Sequence, residues 1–181
     1  MALDVLVASG FESLVLGFYD DAHAALPAQV RGYPVLGDVS MLKSMLSVEE
    51  VHVIVAVTDN VARLRIANSV RVLGASFFTA VHPMAYVSSE AMLGDGSVVT
   101  AGAVLGPDAS VGSHCYVGPR SVVDRDAMVG AGAWLAAGAV VGPAARVGVR
   151  AVIGQNASVG RRAVVEEDTE VAPLGAVEAE E

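Results

Sequence analysis

The sequence is short of aromatic residues, of lysine and of cysteine, and each shortage removes an explanation. Aromatics make up 5% of 181 residues, so the core is not assembled around rings. Val supplies 34 residues and Ala 30, and small side chains in such numbers point to a repetitive architecture. Against 20 acids stand ten Arg and one Lys, for a net charge of −9; this excludes the basic face that nucleic-acid binding requires. One cysteine, Cys115, permits neither an internal disulfide nor a cysteine zinc site, and suits a reducing compartment. The opening Met1-Ala2-Leu3-Asp4 has no basic segment and an early acid, so a secretory signal is not expected and the cytoplasm is. Apolar types at 54% and charged types at 17% exclude wholesale disorder.

Residues 127–145 carry no charge over 19 positions, long enough to cross a bilayer as a helix. Gly130, Gly132, Gly138, Gly142 and Pro143 interrupt the run, and a six-residue register passes through it. A membrane span is therefore not expected.

That register is the dominant feature. From Val87 to Val177 every sixth residue is Val, Leu or Ile, at 16 successive positions. A small residue stands two places before nearly all of them, as Ala103, Ala109, Cys115 and Ser121 do, and Gly often follows, as in Gly106, Gly112 and Gly118. Small, outward, aliphatic is an in–out–in alternation, the period of a strand. The glycine opens a tight corner. Each hexapeptide thus reads as one short strand and one corner, and stacking the coils buries the aliphatic ladder along an axis.

Before the repeats, residues 2–8 read as a short helix and 13–19 as an apolar strand closed by Asp20-Asp21. Residues 40–49 read as a helix around Met41, Leu42, Met45 and Leu46, and 51–57 as a second buried strand. Thr58-Asp59-Asn60 can cap a helix over 61–73 that Gly74 stops, and Ala75–Val81 runs extended into His82-Pro83. Strands alternating with helices predict a parallel sheet.

The hexapeptides resemble the hexapeptide-repeat acyltransferases. The order Asp-Asp after a strand, Gly32-Tyr33-Pro34-Val35-Leu36-Gly37, a strand ending near Asp59-Asn60, then His82-Pro83 leading into repeats is similar to one branch of them. That branch comprises the sialic-acid O-acetyltransferases and nucleotide-amino-sugar N-acetyltransferases of surface-glycan pathways. The resemblance implies an α/β N-terminal domain over 1–80, an incomplete Rossmann-like parallel sheet for a nucleotide sugar. It implies a left-handed parallel β-helix over 81–177, with 18 residues per triangular coil, and leaves 178–181 as an acidic tail. It further implies a homotrimer, acetyl-CoA as co-substrate, a nucleotide-linked amino sugar or sialic acid as acceptor, and no metal. Family members begin with a strand and a glycine-rich loop and close with a Gly-x-Pro-Ala segment; this sequence starts at the following helix and ends short of that segment. A truncated gene model and a degenerate homologue would each account for both departures.

The same resemblance supplies candidate residues. The family's catalytic His-Glu pair falls at Arg125-Asp126, and its second His at Trp134. Arg cannot serve as the general base, which leaves Asp126 and Asp124, or else a corner salt bridge. The acidic pair contacting uridine or sugar falls at Asp20 and Asp21, with Thr58 facing the same crevice; the coenzyme positions fall at Trp134, Gln155 and Pro173. With an 18-residue coil, Val98, Tyr116, Trp134 and Val152 form one outward stripe, and Val104, Val122 and Val140 another. Two such stripes need covering, and subunit contacts would do it. His114 lies at a different corner from Arg125, so it reads as a surface residue or as a base presented by a neighbouring subunit; His23 and His52 read as surface or strand-edge residues. The three converging His of a zinc γ-carbonic anhydrase are not supplied. Two functions are expected to compete: acetyl transfer to an amino or hydroxyl group, or a catalytically impaired or inactive trimeric β-helix with a structural or binding role.

Overall fold

The computed structural model describes residues 1–46 and 50–179. From Ala80 onward the chain winds as a parallel β-helix of two-residue strands. Its three sheets hold six, five and six strands, and every rung pairs with residues 18 further on, as in Val104↔Val122↔Val140. The uncharged stretch 127–145 lies within these coils. Of the 16 aliphatics, all but Val87, Leu93 and Val177 are buried. Those three lie in the end coils, where one neighbouring rung is missing. The small residues two places earlier are buried too, Ala103 through Ala163 at no more than 2% exposure. Only a short side chain fits there, because the corner brings the backbone of the next coil close behind it. At Gly112 a Cβ would stand 2.6 Å from the Ala131 nitrogen, so glycine is demanded by space.

The sheets give the prism three faces. The junction face carries Val98, Tyr116, Trp134 and Val152 outward. The valine face carries Tyr86, Val104, Val122, Val140, Ser158 and Ala176. The third, the methionine face, carries Met92, Ser110, Met128, Arg146 and Val164.

The N-terminal region differs from the single parallel sheet expected. Helix α1 (Ala2–Ala8) forms as predicted. The apolar run 13–19 does not make one strand: Glu12–Leu14 is a 3₁₀ turn, and only β1 (Phe18–Tyr19) is extended in a ladder. Gly17 breaks it, where a Cβ would meet the Pro34 carbonyl at 2.5 Å. β2 (Gln29–Val30) and β3 (Tyr33–Gly37) form a hairpin whose two turn residues, Arg31 and Gly32, both have positive φ. β3 pairs with β1 in parallel and with β2 antiparallel. The 40–49 helix is realised as α2 (Leu42–Leu46), residues 47–49 lying outside the described residues. The second strand is reduced to β4 (His52–Val53), which pairs not with β1 but with β5 (Ser76–Phe77) across α3 (Asn60–Val72). Asp59 caps α3, its carboxylate accepting from the Ala62 N–H at 2.6 Å. There are thus two small sheets, of three and two strands; the two-stranded one is too narrow to stand alone and leans on the β-helix through Phe77 and His114. Of the acidic tail, Glu178 is exposed and residues 180–181 lie outside the described residues.

Candidate functional site

The corner between the valine and methionine faces holds the candidate catalytic pair. Successive coils place Pro107, Arg125, Pro143 and Arg161 there, stacked by backbone bonds: Ala144 N–H donates to the Arg125 carbonyl at 3.0 Å and Arg162 N–H to the Pro143 carbonyl at 3.0 Å. Arg125 and Asp126 are exposed, and Asp126 adopts φ +59°. The corner salt bridge does not form: among the described residues Arg125 pairs with no carboxylate. Asp124 instead accepts the Arg125 backbone N–H at 2.7 Å. One carboxylate is therefore committed to holding the turn, and Asp126 is left facing solvent.

The junction face is where structure and sequence reading part. Tyr116 is 8% exposed, packed with Val98 and Ala80 against Val5 of α1, with Ala2, Leu6 and Trp134 adjoining. Its hydroxyl donates to the Met1 sulfur at 3.1 Å. Trp134 stacks on Tyr116, centroids 4.0 Å apart at 21°, and the Arg63 guanidinium lies 5.7 Å from the Trp134 ring. The stripe Val98–Tyr116–Trp134 expected to meet other subunits is thus covered by the chain's own N-terminus. The registry between faces was readable in the repeats; what lies on each face was not.

Arg63 fastens this junction. It is 4% exposed. Its Nε donates to the His114 carbonyl at 2.9 Å, Nη1 to the carbonyls of Val57 at 2.8 Å and Thr58 at 3.2 Å, and Nη2 to Gly132 O and Asn60 Oδ1, each at 2.7 Å. Asn60 in turn donates to the Arg150 carbonyl at 2.7 Å. All Arg63 acceptors are neutral, so five hydrogen bonds, not an ion pair, offset the burial of the charge. Leu64 lies over Gly132, where a Cβ would meet Leu64 Cδ1 at 2.7 Å. In the sequence Arg63 is one polar position within the helix expected over 61–73 and carries no signal of its own.

His114, expected at the surface, is 4% exposed. Phe77 meets its ring edge-on at 4.5 Å, Arg71 Nη2 lies 3.5 Å from its Nε2, and Nδ1 is buried without a hydrogen-bond partner. Burial holds its pKa below the ordinary value, Asp95 opposing this. It cannot be presented to a neighbouring subunit as a base. Cys115 beside it is buried, its thiol pushed up to about 11 by burial, and is not a nucleophile.

The remaining candidates are dispersed. Asp20 and Asp21 follow β1; Asp20 accepts the Ala22 N–H at 2.8 Å and Asp21 the Val39 N–H at 3.2 Å. Thr58 is exposed just before α3. Gln155 and Pro173 are exposed on the corner between the junction and valine faces, one coil apart, with Leu174 N–H donating to the Gln155 carbonyl at 2.9 Å. That corner and the Arg125 corner flank the valine face from opposite sides, so one protomer does not bring them together. Among the described residues no group of three His, Cys, Asp or Glu could hold a metal ion, and no helix is long and apolar enough to cross a membrane.

Comparison with known proteins defines the class. Residues 1–70 match the family described as the PglD N-terminal domain. A GDP-perosamine N-acetyltransferase from Caulobacter crescentus, solved as a His-to-Ala variant in complex with CoA and GDP-perosamine, is 31% identical over 97% of this chain and 81% of its own, with a TM-score of 0.91. The acetyltransferase domain of PglB from Neisseria gonorrhoeae, in complex with acetyl coenzyme A, is 27% identical over 98% and 89%, with a TM-score of 0.71. Comparison with curated proteins finds no match. The chain belongs to the family of hexapeptide-repeat sugar acetyltransferases with a left-handed parallel β-helix.

Proposed function

We propose that this protein transfers acetyl from acetyl-CoA to the amino group of a nucleotide-linked amino sugar in surface-glycan synthesis, working as a homotrimer in the cytoplasm. The observation that carries this is the match of 97% of the chain to a GDP-perosamine N-acetyltransferase at a TM-score of 0.91. The sugar amine attacks the thioester carbonyl; a C–N bond forms, the C–S bond breaks, the nitrogen gives up a proton and the thiolate leaves. The chain's part is to align the amine and to receive that proton. Arg125 cannot receive it. Of the two carboxylates flanking Arg125, Asp124 is held by the turn and Asp126 is not, so Asp126 takes the role in this reading. A carboxylate is a weaker base than imidazole near neutral pH, so turnover is slow.

The replacement of the family base by Arg125 also favours a second reading, a binding protein that holds nucleotide sugar without turnover. One comparison separates them: thioester consumption with an amino-sugar nucleotide by the wild type and by Arg125→His. General-base assistance is worth about 10²–10⁴-fold, so the His variant should be faster by at least about tenfold if the rest of the site is competent. No turnover by either, with nucleotide sugar still bound, leaves the binding protein.

The trimer would use the valine face. Tyr86 is 60% and Val140 39% exposed, and Val104 and Val122 lie between them in register. No part of the described chain packs over this apolar strip, which a second copy would cover.

A further inference from the structure

Arginines in this acidic chain fall into two groups. Arg31, Arg71 and Arg150 are ion-paired with Asp4, Asp95 and Asp168, and Arg63 is buried at the junction. The other six, Arg65, Arg120, Arg125, Arg146, Arg161 and Arg162, have no carboxylate within 4.0 Å among the described residues. Four of these six gather at one place. Arg125, Arg161 and Arg162 sit on the corner between the valine and methionine faces, and Arg146 stands on the methionine face three residues beyond Pro143 of the same corner. All four are exposed.

The β-helix makes this arrangement rigid in the backbone. Arg125 is tied to the next coil through its carbonyl, and Arg162 to the Pro143 carbonyl of the coil before it. Adjacent coils are separated by the strand spacing of about 4.8 Å, so Arg125 and Arg161 stand about 10 Å apart along the axis. The flanking acids stand at the two ends: Asp108, Asp124 and Asp126 lie at the Arg125 end and Glu178 lies one coil beyond Gly160, whereas no acid occupies the corner positions 143–146 or 160–163. The result is a positive strip that runs from Arg125 to Arg162 and ends at Glu178.

We infer that Arg146, Arg161 and Arg162 form a binding site for the phosphoanhydride part of a nucleotide ligand. The inference rests on the transferase reading, in which both substrates carry such a group. A chain of net charge −9 repels a polyphosphate on average, so binding needs a local field of opposite sign. Guanidinium forks matched to phosphate oxygens provide it. The phosphates belong either to coenzyme A or to the nucleotide sugar. Two coils of separation from Arg125 fit a ligand whose reacting end lies at the corner and whose charged end lies further along the axis.

Calorimetric titration of the full chain tests this without turnover. The probes are CoA, pantetheine, which lacks the phosphates, and GDP. Arg161→Gln combined with Arg162→Gln should weaken CoA or GDP at least about tenfold and abolish most of the salt dependence of that binding. Pantetheine should be unaffected, and so should all ligands in Arg65→Gln, which removes an unpaired arginine on α3. Loss confined to CoA assigns the strip to the coenzyme; loss confined to GDP assigns it to the nucleotide sugar. Because residues 161 and 162 lie on an exposed corner, circular dichroism should show an unchanged fold. If CoA and GDP bind the double variant as tightly as the wild type, or bind the wild type not at all, the inference is overturned. Failure of the transferase reading would instead be seen as tight, arginine-dependent binding with no thioester consumed.

Discussion

His114 shows how one side chain can couple acidity to the junction. Asp95, Arg71 and Arg63 act on its charge, and Phe77 covers its ring. Burial lowers its pKa in the folded state, so the unfolded chain binds the proton more readily. Its contribution to stability is therefore complete above the ordinary histidine value of about 6.5 and is lost as pH falls from there toward the folded-state value. The thermal midpoint should drop between pH 7.5 and pH 5.5, and His114→Gln should flatten that slope whatever it does to the midpoint itself. Equal slopes would show that His114 is not the titrating group. Asp95 is held below the ordinary carboxylate range by Ser113 and then Arg71, so its own loss comes at lower pH and does not blur the window. The hexapeptide register placed His114 at the right corner. That the corner is roofed by Phe77 depends on a contact across 37 positions of chain, which no local pattern records.

Among elements, the contrast lies between the rungs of the β-helix and the strands before it. Each rung is two residues long, yet its place was legible, because sixteen copies of one pattern reinforce one another. The N-terminal strands β1, β2, β4 and β5 are as short but occur once each. Apolar runs there signalled burial without showing where pairing stops. The Arg31-Gly32 hairpin turn was open to detection as an X-Gly pair between β-prone residues. Helix α3 depends on tertiary contacts made by Arg63 and Asn60. Arg63→Met should leave carbonyls of Val57, His114 and Gly132 without their donor, at a cost of at least about 2–3 kcal/mol. The expected readout is loss of hydrogen-exchange protection in α3 before the β-helix, together with a shift in the emission of Trp134, the one tryptophan. Unchanged protection of α3 would mean that apolar packing, not Arg63, holds it.

For the whole molecule, the exposed valine face sets the expectation. Val122→Glu with Val140→Glu should turn a trimer into monomers by light scattering at micromolar concentration, since three copies would bring the new charges together. Tyr116→Ala should instead loosen the N-terminal region and leave the assembly state unchanged, because that ring is already covered within its own chain. A wild-type chain that is monomeric under those conditions would remove the trimer from the proposal.

The 18-residue repeat of the coil also acts as a ruler for length change. Deleting six residues inside the helix would keep every aliphatic on the axis, yet rotate all later coils by one face. Arg161 and Arg162 would then leave the corner of Arg125. Removing a full coil keeps every corner in line and shortens the axial distance by about 4.8 Å. Insertions and deletions thus divide into those that preserve the fold alone and those that preserve the alignment of its surfaces. Relatives of different length would differ by whole coils wherever the spacing between two corner residues matters, and by single hexapeptides only beyond the last of them.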